Sequence, residues 1–223
     1  MNSGAPPYSR GPNEDGLTLT GCGRSGRPIV IVPGLHDSGP GHWQRLWRLP
    51  HAEVVEQMDW DNPLLEAWIG PLVEAVRRRP GAVLVGHSLG CILIAHLARG
   101  ADLNIAGAFL AAPADVDQEG PKRRLLQTFS PLPRDRLPFP SLLVGSRNDP
   151  YMALKRAQTL ASDWGSRFVD LGEEGHINVA SGHGAWPKGL SLLEAFIRQL
   201  GVGSASELRR APDGCLTPKR ACD

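Results

Sequence analysis

The sequence has 223 residues, of which 41% are hydrophobic and 21% charged, the composition of one ordinary globular domain. Its 24 Lys and Arg residues nearly balance its 23 Asp and Glu residues, which leaves a formal net charge of +1. So small a charge provides no long-range field to attract nucleic acid or an anionic membrane surface, and we expect neither as a partner.

The two ends of the sequence differ from its middle. Residues 1–27 and 201–223 are rich in Gly, Ser, Pro and charge and lack hydrophobic periodicity, which predicts flexible tails on a folded domain at residues 28–200. The beginning lacks the apolar segment of a secretory signal, and no apolar run reaches the roughly 18 to 20 residues of a membrane span. The four cysteines are scattered without metal-site spacing. We expect a cytoplasmic protein that needs no metal or other cofactor.

Short apolar runs alternate with helical patterns along the middle of the sequence. Apolar runs at residues 28–32, 82–85, 107–112 and 141–145 predict buried strands, a further strand is expected at 167–171, and a weaker one at 54–55. Helical spacing of apolar residues predicts helices at 64–79, 90–99, 152–164 and 190–200. This alternation predicts an α/β fold with a doubly wound, mostly parallel sheet of five or six strands and helices on both faces.

A G-x-S-x-G motif at residues 86–90 follows the second of these apolar runs and precedes a helix. In this strand-turn-helix context the motif predicts a nucleophile elbow, which projects Ser88 from the carboxyl end of the sheet. The two glycines lack Cβ atoms and allow strand and helix to pass close to the turn. An ordinary glycine-bounded turn is the alternative, and the preceding strand favours the elbow.

A serine becomes a good nucleophile when a histidine removes its proton and an acid orients that histidine. His176 follows the predicted strand at 167–171, and Asp149 follows the one at 141–145, so both are expected at the same edge of the sheet as Ser88. His183 is the weaker alternative for the base, and Asp115 is the main alternative for the acid. Ser88, Asp149 and His176 are our predicted catalytic triad of an α/β-hydrolase.

Acyl transfer also requires two hydrogen-bond donors for the oxyanion. The backbone N–H groups of Leu35, in the loop after the first strand, and of Leu89, after the nucleophile, are the candidates. His36 and Trp43 belong to the same region and are possible pocket residues, although packing explains Trp43 equally well. The histidines His36, His42 and His51 lack the spacing of metal ligands, so no metal is expected.

Further motifs extend over nearly the whole predicted domain. They are Val32-Pro33-Gly34 with Ser38 and His42-Trp43-Gln44, Asp59-Trp60 with Pro63, the run Gly86 to Cys91, the run Ser146 to Pro150, and Gly175 to Asn178 with Ser181-Gly182. This set resembles the retinoblastoma-binding protein 9-like small serine hydrolases. The resemblance implies a compact α/β-hydrolase core, little or no lid, and a triad at Ser88, Asp149 and His176. The chain lacks an L-x-C-x-E segment, so the retinoblastoma protein is not implied as a partner.

These observations predict a serine hydrolase that cleaves a small carboxylic ester or amide through an acyl-enzyme. Esterases, aminopeptidases and thioesterases share this triad, and the sequence does not distinguish them. The alternative is a hydrolase-fold protein that acts mainly as a binding partner with marginal hydrolysis. Residues 115–140, where hydrolases of this fold often insert a lid, have room for one short helix, so we expect a minimal lid and an open, shallow site. The oligomeric state is left open.

Overall fold

A computed structural model describes residues 26–100 and 102–207, and these residues form a six-stranded sheet flanked by helices. The strands are β1 (Ile29–Val32), β2 (Ala52–Val54), β3 (Ala82–His87), β4 (Ile105–Ala111), β5 (Ser141–Gly145) and β6 (Arg167–Asp170). The helices are α1 (Trp43–Leu46), α2 (Leu65–Arg78), α3 (Leu89–Gly100), α4 (Leu154–Trp164) and α5 (Pro187–Glu207), with short 3-10 helices at Gln127–Phe129 and Val179–Ser181.

All neighbouring strands of the sheet are parallel, in the order β2-β1-β3-β4-β5-β6. Four adjacent strands, β1, β3, β4 and β5, end at the same edge of the sheet. Residues at or beside their ends pair in register, namely Val32 with Gly86, His87 with Ala111, and Ala111 with Val144. The strand order reverses between β1 and β3, which is where open α/β sheets bind their ligands. The predicted α/β fold with a mostly parallel sheet is confirmed.

Helices cover both faces of the sheet because successive strand residues point in opposite directions. Leu84 belongs to a core cluster that includes residues of α2, α3 and α4. Its neighbours Val83 and Val85 belong to a second cluster, which includes residues of α1 and α5. Strands whose two faces are both buried read as continuous apolar runs, which explains why β1, β3 and β5 were visible in the sequence.

Some predicted boundaries require correction. The last helix begins at Pro187 and continues to Glu207, so its backbone extends into the segment interpreted as the C-terminal tail. The helix expected to start at residue 152 begins at Leu154, and the weak second strand is Ala52–Val54. Residues 1–25 and 208–223 of the two predicted tails lie outside the described residues.

Within residues 26–100 and 102–207, no helix combines the length and the apolar composition that crossing a membrane would require.

Candidate active site

Ser88 occupies a sharp turn between β3 and α3, with a backbone φ of 54° in the left-handed region. The backbone that follows β1 passes close to this turn, which explains why residue 90 is a glycine. A Cβ on Gly90 would lie 2.1 Å from the carbonyl oxygen of Val32 and 2.6 Å from that of Pro33. The turn therefore has the strained geometry expected of a nucleophile elbow, and it holds the half-buried Ser88 at the carboxyl end of the sheet.

Ser88, His176 and Asp149 form a continuous hydrogen-bonded chain. His176 Nε2 lies 2.9 Å from Ser88 Oγ, and His176 Nδ1 lies 2.9 Å from each carboxylate oxygen of Asp149. A carboxylate only accepts, so the proton of the neutral imidazole lies on Nδ1 and Nε2 accepts from the Ser88 hydroxyl. The side chains of His176 and Asp149 are 7% and 2% exposed, which shields this chain from competing water.

The alternative acid and base lie elsewhere. Asp115 forms an ion pair with Arg156 and accepts a hydrogen bond from the backbone N–H of Asp117, 3.1 Å away. His183 Nε2 contacts Glu174, 3.0 Å from its carbonyl oxygen and 3.3 Å from its carboxylate. The structure therefore brings Asp149, and not Asp115, into contact with His176.

The two predicted oxyanion residues meet beside Ser88. A Cβ on Gly34 would lie 2.9 Å from Ser88 Cβ and 3.2 Å from the backbone nitrogen of Leu89, so the loop after β1 packs directly on the elbow. Leu35 follows Gly34, and Leu35 and Leu89 both line the adjoining cavity. Two main-chain segments from different strands thus border the place where a substrate carbonyl would meet the serine.

The candidate pocket residues His36 and Trp43 occupy different environments. His36 lines the cavity, is largely exposed, and hydrogen-bonds through Nδ1 to Asp61 at 2.8 Å. Trp43 is fully buried and does not line the cavity, which corrects its assignment as a pocket residue. Its indole Nε1 donates to the carbonyl oxygen of Ile177 at 2.9 Å, so it anchors the loop that carries His176.

Two further histidines lie behind His176: His87 packs against it, and His42 packs against His87. The His87 ring is 5.0 Å from the ring of His176 and 4.7 Å from that of His42. His87 Nε2 donates to the main-chain carbonyl of His176 at 3.0 Å. The position of His87 could have been predicted from the sequence. Alternate residues of a strand share one face, so His87 lies on the same face of β3 as Val83 and Val85, which is the face covered by α1.

Burial keeps both histidines neutral. Burial and the neighbouring His176 lower the pKa of His42 from 6.5 to about 4, and the same two causes hold the pKa of His87 well below 6.5. His42 Nδ1 accepts from the backbone N–H of Gln44 at 3.2 Å, which leaves the proton on Nε2. That buried Nε2 has no hydrogen-bond partner among the described residues.

A cavity of about 660 Å³ adjoins Ser88 and His176. This volume is typical of pockets for small organic molecules. Much of one wall comes from residues 114–126, which form turns before the short 3-10 helix Gln127–Phe129. The predicted lid segment is therefore a short wall of the site.

The described residues contain no group of three or more His, Cys, Asp or Glu side chains arranged to hold a metal ion. Cys91 is buried, its Sγ lies 3.4 Å from the carbonyl oxygen of Ala111, and burial raises the pKa of its thiol.

Several solved structures are similar to this chain. A protein described as a YdeN-like hydrolase from Pectobacterium atrosepticum SCRI1043 is 35% identical, with a TM-score of 0.70 over 78% of this chain and 92% of the other. The ydeN gene product of B. subtilis is 18% identical, with a TM-score of 0.62 over 77% and 99% of the two chains. An esterase from Thermogutta terrifontis is 13% identical, with a TM-score of 0.59 over 79% and 84%. The last two likenesses show the fold alone.

A search of curated protein sequences gives no match. The family model described as serine hydrolase matches residues 29–195, which include all six strands, the elbow at Ser88 and the loop of His176. With this match and the 35% identity to the Pectobacterium protein, the chain belongs to the serine hydrolase family.

Proposed function

We propose that this serine hydrolase cleaves a small carboxylic ester or amide through a covalent acyl-enzyme on Ser88. The observation that carries the proposal is the hydrogen-bonded chain from Asp149 through His176 to Ser88, with 2.9 Å at each step. A serine held in this arrangement loses its proton to the imidazole as it attacks a carbonyl carbon. Buried Asp149 stabilises the imidazolium that forms.

The remaining steps follow from the same geometry. The carbonyl oxygen of the substrate becomes an oxyanion that accepts hydrogen bonds from the backbone N–H groups of Leu35 and Leu89. His176 then donates its new proton to the leaving alcohol or amine, which leaves an ester on Ser88. A water molecule enters, His176 removes its proton, and collapse of the second tetrahedral intermediate releases the acid and restores the serine.

Two finer assignments belong to this proposal. The motifs shared with the retinoblastoma-binding protein 9-like hydrolases support placement of the chain in that group, with Ser88, Asp149 and His176 as its triad. A cytoplasmic location is proposed on the scattered cysteines, of which Cys91 is free and buried. The cavity volume of about 660 Å³ supports a small-molecule substrate.

A fluorophosphonate probe, which reacts with activated serines, tests the proposal directly. The purified protein, Ser88→Ala and a matched surface control, Ser162→Ala on α4, are incubated with the probe and analysed by intact mass and peptide mapping. We expect one adduct on Ser88 in the wild type and in Ser162→Ala, and none in Ser88→Ala.

Turnover is then measured with 4-nitrophenyl acetate, 4-nitrophenyl butyrate, aminoacyl 4-nitroanilides and a short acyl thioester. Hydrolysis of any of these by the wild type, abolished in Ser88→Ala, identifies the reaction among the three that share the triad. A folded wild type that neither reacts with the probe nor turns over a substrate would contradict the proposal. That result would favour a protein that acts mainly by binding a partner.

A further inference from the structure

The charged side chains that line the cavity are paired, with one exception. Apart from histidines, five charged residues line it, and four of these form ion pairs, namely Asp37 with Arg45, Asp115 with Arg156, and Glu119 with Arg123. The fifth is Lys122, which is absent from the ion pairs of the described residues. Histidines aside, Lys122 is therefore the one cavity-lining charged side chain without an ion-pair partner among the described residues, while Arg45 and Arg156 each also pair with a second carboxylate, that of Glu56 and of Asp117.

Lys122 is held near the reacting groups by an aromatic ring. Lys122 is half-buried, and its ammonium lies 4.4 Å from the centroid of the Tyr151 ring, in a cation–π contact. The Tyr151 ring in turn packs edge-on against the His176 imidazole, with 4.6 Å between centroids. These two distances place the Lys122 ammonium within about 9 Å of the imidazole of His176.

A cation–π contact positions the ammonium but provides no hydrogen-bond acceptor for its three N–H donors. We propose that Lys122 binds a carboxylate on the substrate, so that the enzyme prefers esters or amides that carry one negative charge. The proposal rests on hydrolysis at Ser88 and adds the substrate class. A carboxylate fits better than a phosphate monoester, because the phosphate carries about −1.5 to −2 charges and the cavity offers a single unpaired cation.

Two matched substrate pairs locate the charge on either side of the scissile bond. The mono-4-nitrophenyl ester of glutaric acid, compared with 4-nitrophenyl butyrate, places a carboxylate on the acyl side. 4-Acetoxybenzoate, compared with 4-acetoxybenzamide, places it on the leaving-group side. We expect the anionic member of at least one pair to have the higher kcat/KM, mostly through a lower KM, and to lose that advantage as salt screens the charge.

Substitution of Lys122 provides the decisive comparison. Lys122→Met is expected to lower kcat/KM for the preferred anionic ester about tenfold, or about 1.4 kcal/mol, relative to its neutral partner. Lys122→Glu is expected to reverse the preference. Lys188→Met removes an exposed lysine that does not line the cavity and should leave the preference unchanged. Circular dichroism checks that each variant is folded.

Binding is measured apart from turnover by the rate of fluorophosphonate labelling of Ser88. Glutarate and 4-hydroxybenzoate should slow labelling of the wild type and have little effect on Lys122→Met. If neutral esters are cleaved but neither pair shows a preference, or if the preference survives in Lys122→Met, the carboxylate site is refuted while hydrolysis at Ser88 stands. Absence of both labelling and turnover refutes the proposed function, and the substrate class falls with it.

Discussion

Replacing Asp149 with Asn is a small change in shape that alters which groups can donate and accept hydrogen bonds. Oδ1 of Asp149 accepts from the backbone N–H of Tyr151 at 2.9 Å, and an Asn oxygen would keep that bond. Both carboxylate oxygens lie 2.9 Å from His176 Nδ1, and because the Tyr151 N–H keeps the amide oxygen at Oδ1, the amide NH₂ takes the place of Oδ2. An NH₂ group there donates to Nδ1 and moves the imidazole proton to Nε2.

With its proton on Nε2, His176 can no longer accept the proton of Ser88, 2.9 Å away. The side chain at position 149 is 2% exposed, so water does not readily replace the lost carboxylate. We expect Asp149→Asn to lower kcat about 10⁴-fold. The thermal unfolding temperature should change little, since the amide is the same size as the carboxylate.

The assay is hydrolysis of whichever ester the wild type cleaves, together with the rate of fluorophosphonate labelling of Ser88. Asp115→Asn is the matched control, because Asp115 is also a buried acid that follows a strand and its partner is Arg156. It should lower kcat less than about tenfold, since its carboxylate orients no catalytic group. A fall of less than tenfold in Asp149→Asn, or a larger loss in Asp115→Asn, would refute this assignment of the acid.

Two further predictions concern stability. Gly90→Ala should lower the free energy of unfolding by at least about 3 kcal/mol, because its Cβ would lie 2.1 Å from the carbonyl oxygen of Val32. Gly100→Ala is the control, because Gly100 lies at the other end of α3 with open space where a Cβ would be, and its free energy of unfolding should stay within about 0.5 kcal/mol of the wild type. Urea unfolding measures both variants, and equal losses would contradict the close packing at Gly90. His42 has a pKa of 6.5 when unfolded and about 4 when folded, so between these pH values the unfolded chain binds more protons and acidification destabilises the fold. His42→Asn keeps an N-cap acceptor for α1 but does not titrate. Between pH 7 and 4 the free energy of unfolding of the wild type should therefore fall by about 3 kcal/mol more than that of this variant. Parallel curves of the free energy of unfolding against pH would show that burial does not lower the pKa of His42.

The sequence alone predicted that three residues lie close together in the fold, namely Ser88, Asp149 and His176, because each follows a different predicted strand. β3, β5 and β6 are parallel strands of one sheet, so the loops that follow them leave the same edge. This reasoning depends only on strand direction and therefore tolerates errors of a few residues in each boundary. The catalytic role of the three residues stays a prediction until the serine is labelled.

The choice between two acids could not be made in this way, because Asp115 and Asp149 follow the adjacent strands β4 and β5. The ion pair with Arg156, from α4, decides where Asp115 points, and no local pattern encodes that contact. The contact of Lys122 with Tyr151 likewise joins two loops that are far apart in the sequence. Local periodicity predicts elements and their ends, whereas these side-chain contacts depend on how the loops fold over the sheet.

His87 and His42 lie behind His176, and their low pKa values explain how the His176 loop is held without destabilising the imidazolium of the proposed reaction. His87 donates to the main chain of His176 at 3.0 Å, a task that any buried donor could perform. A lysine or arginine in that position would repel the imidazolium that forms when His176 takes the proton of Ser88. Burial keeps His87 and its neighbour His42 uncharged, so His87 holds the His176 loop as a neutral group. The charge of Asp149 can then stabilise the His176 imidazolium without a competing positive charge from these histidines, as the proposed proton transfer requires.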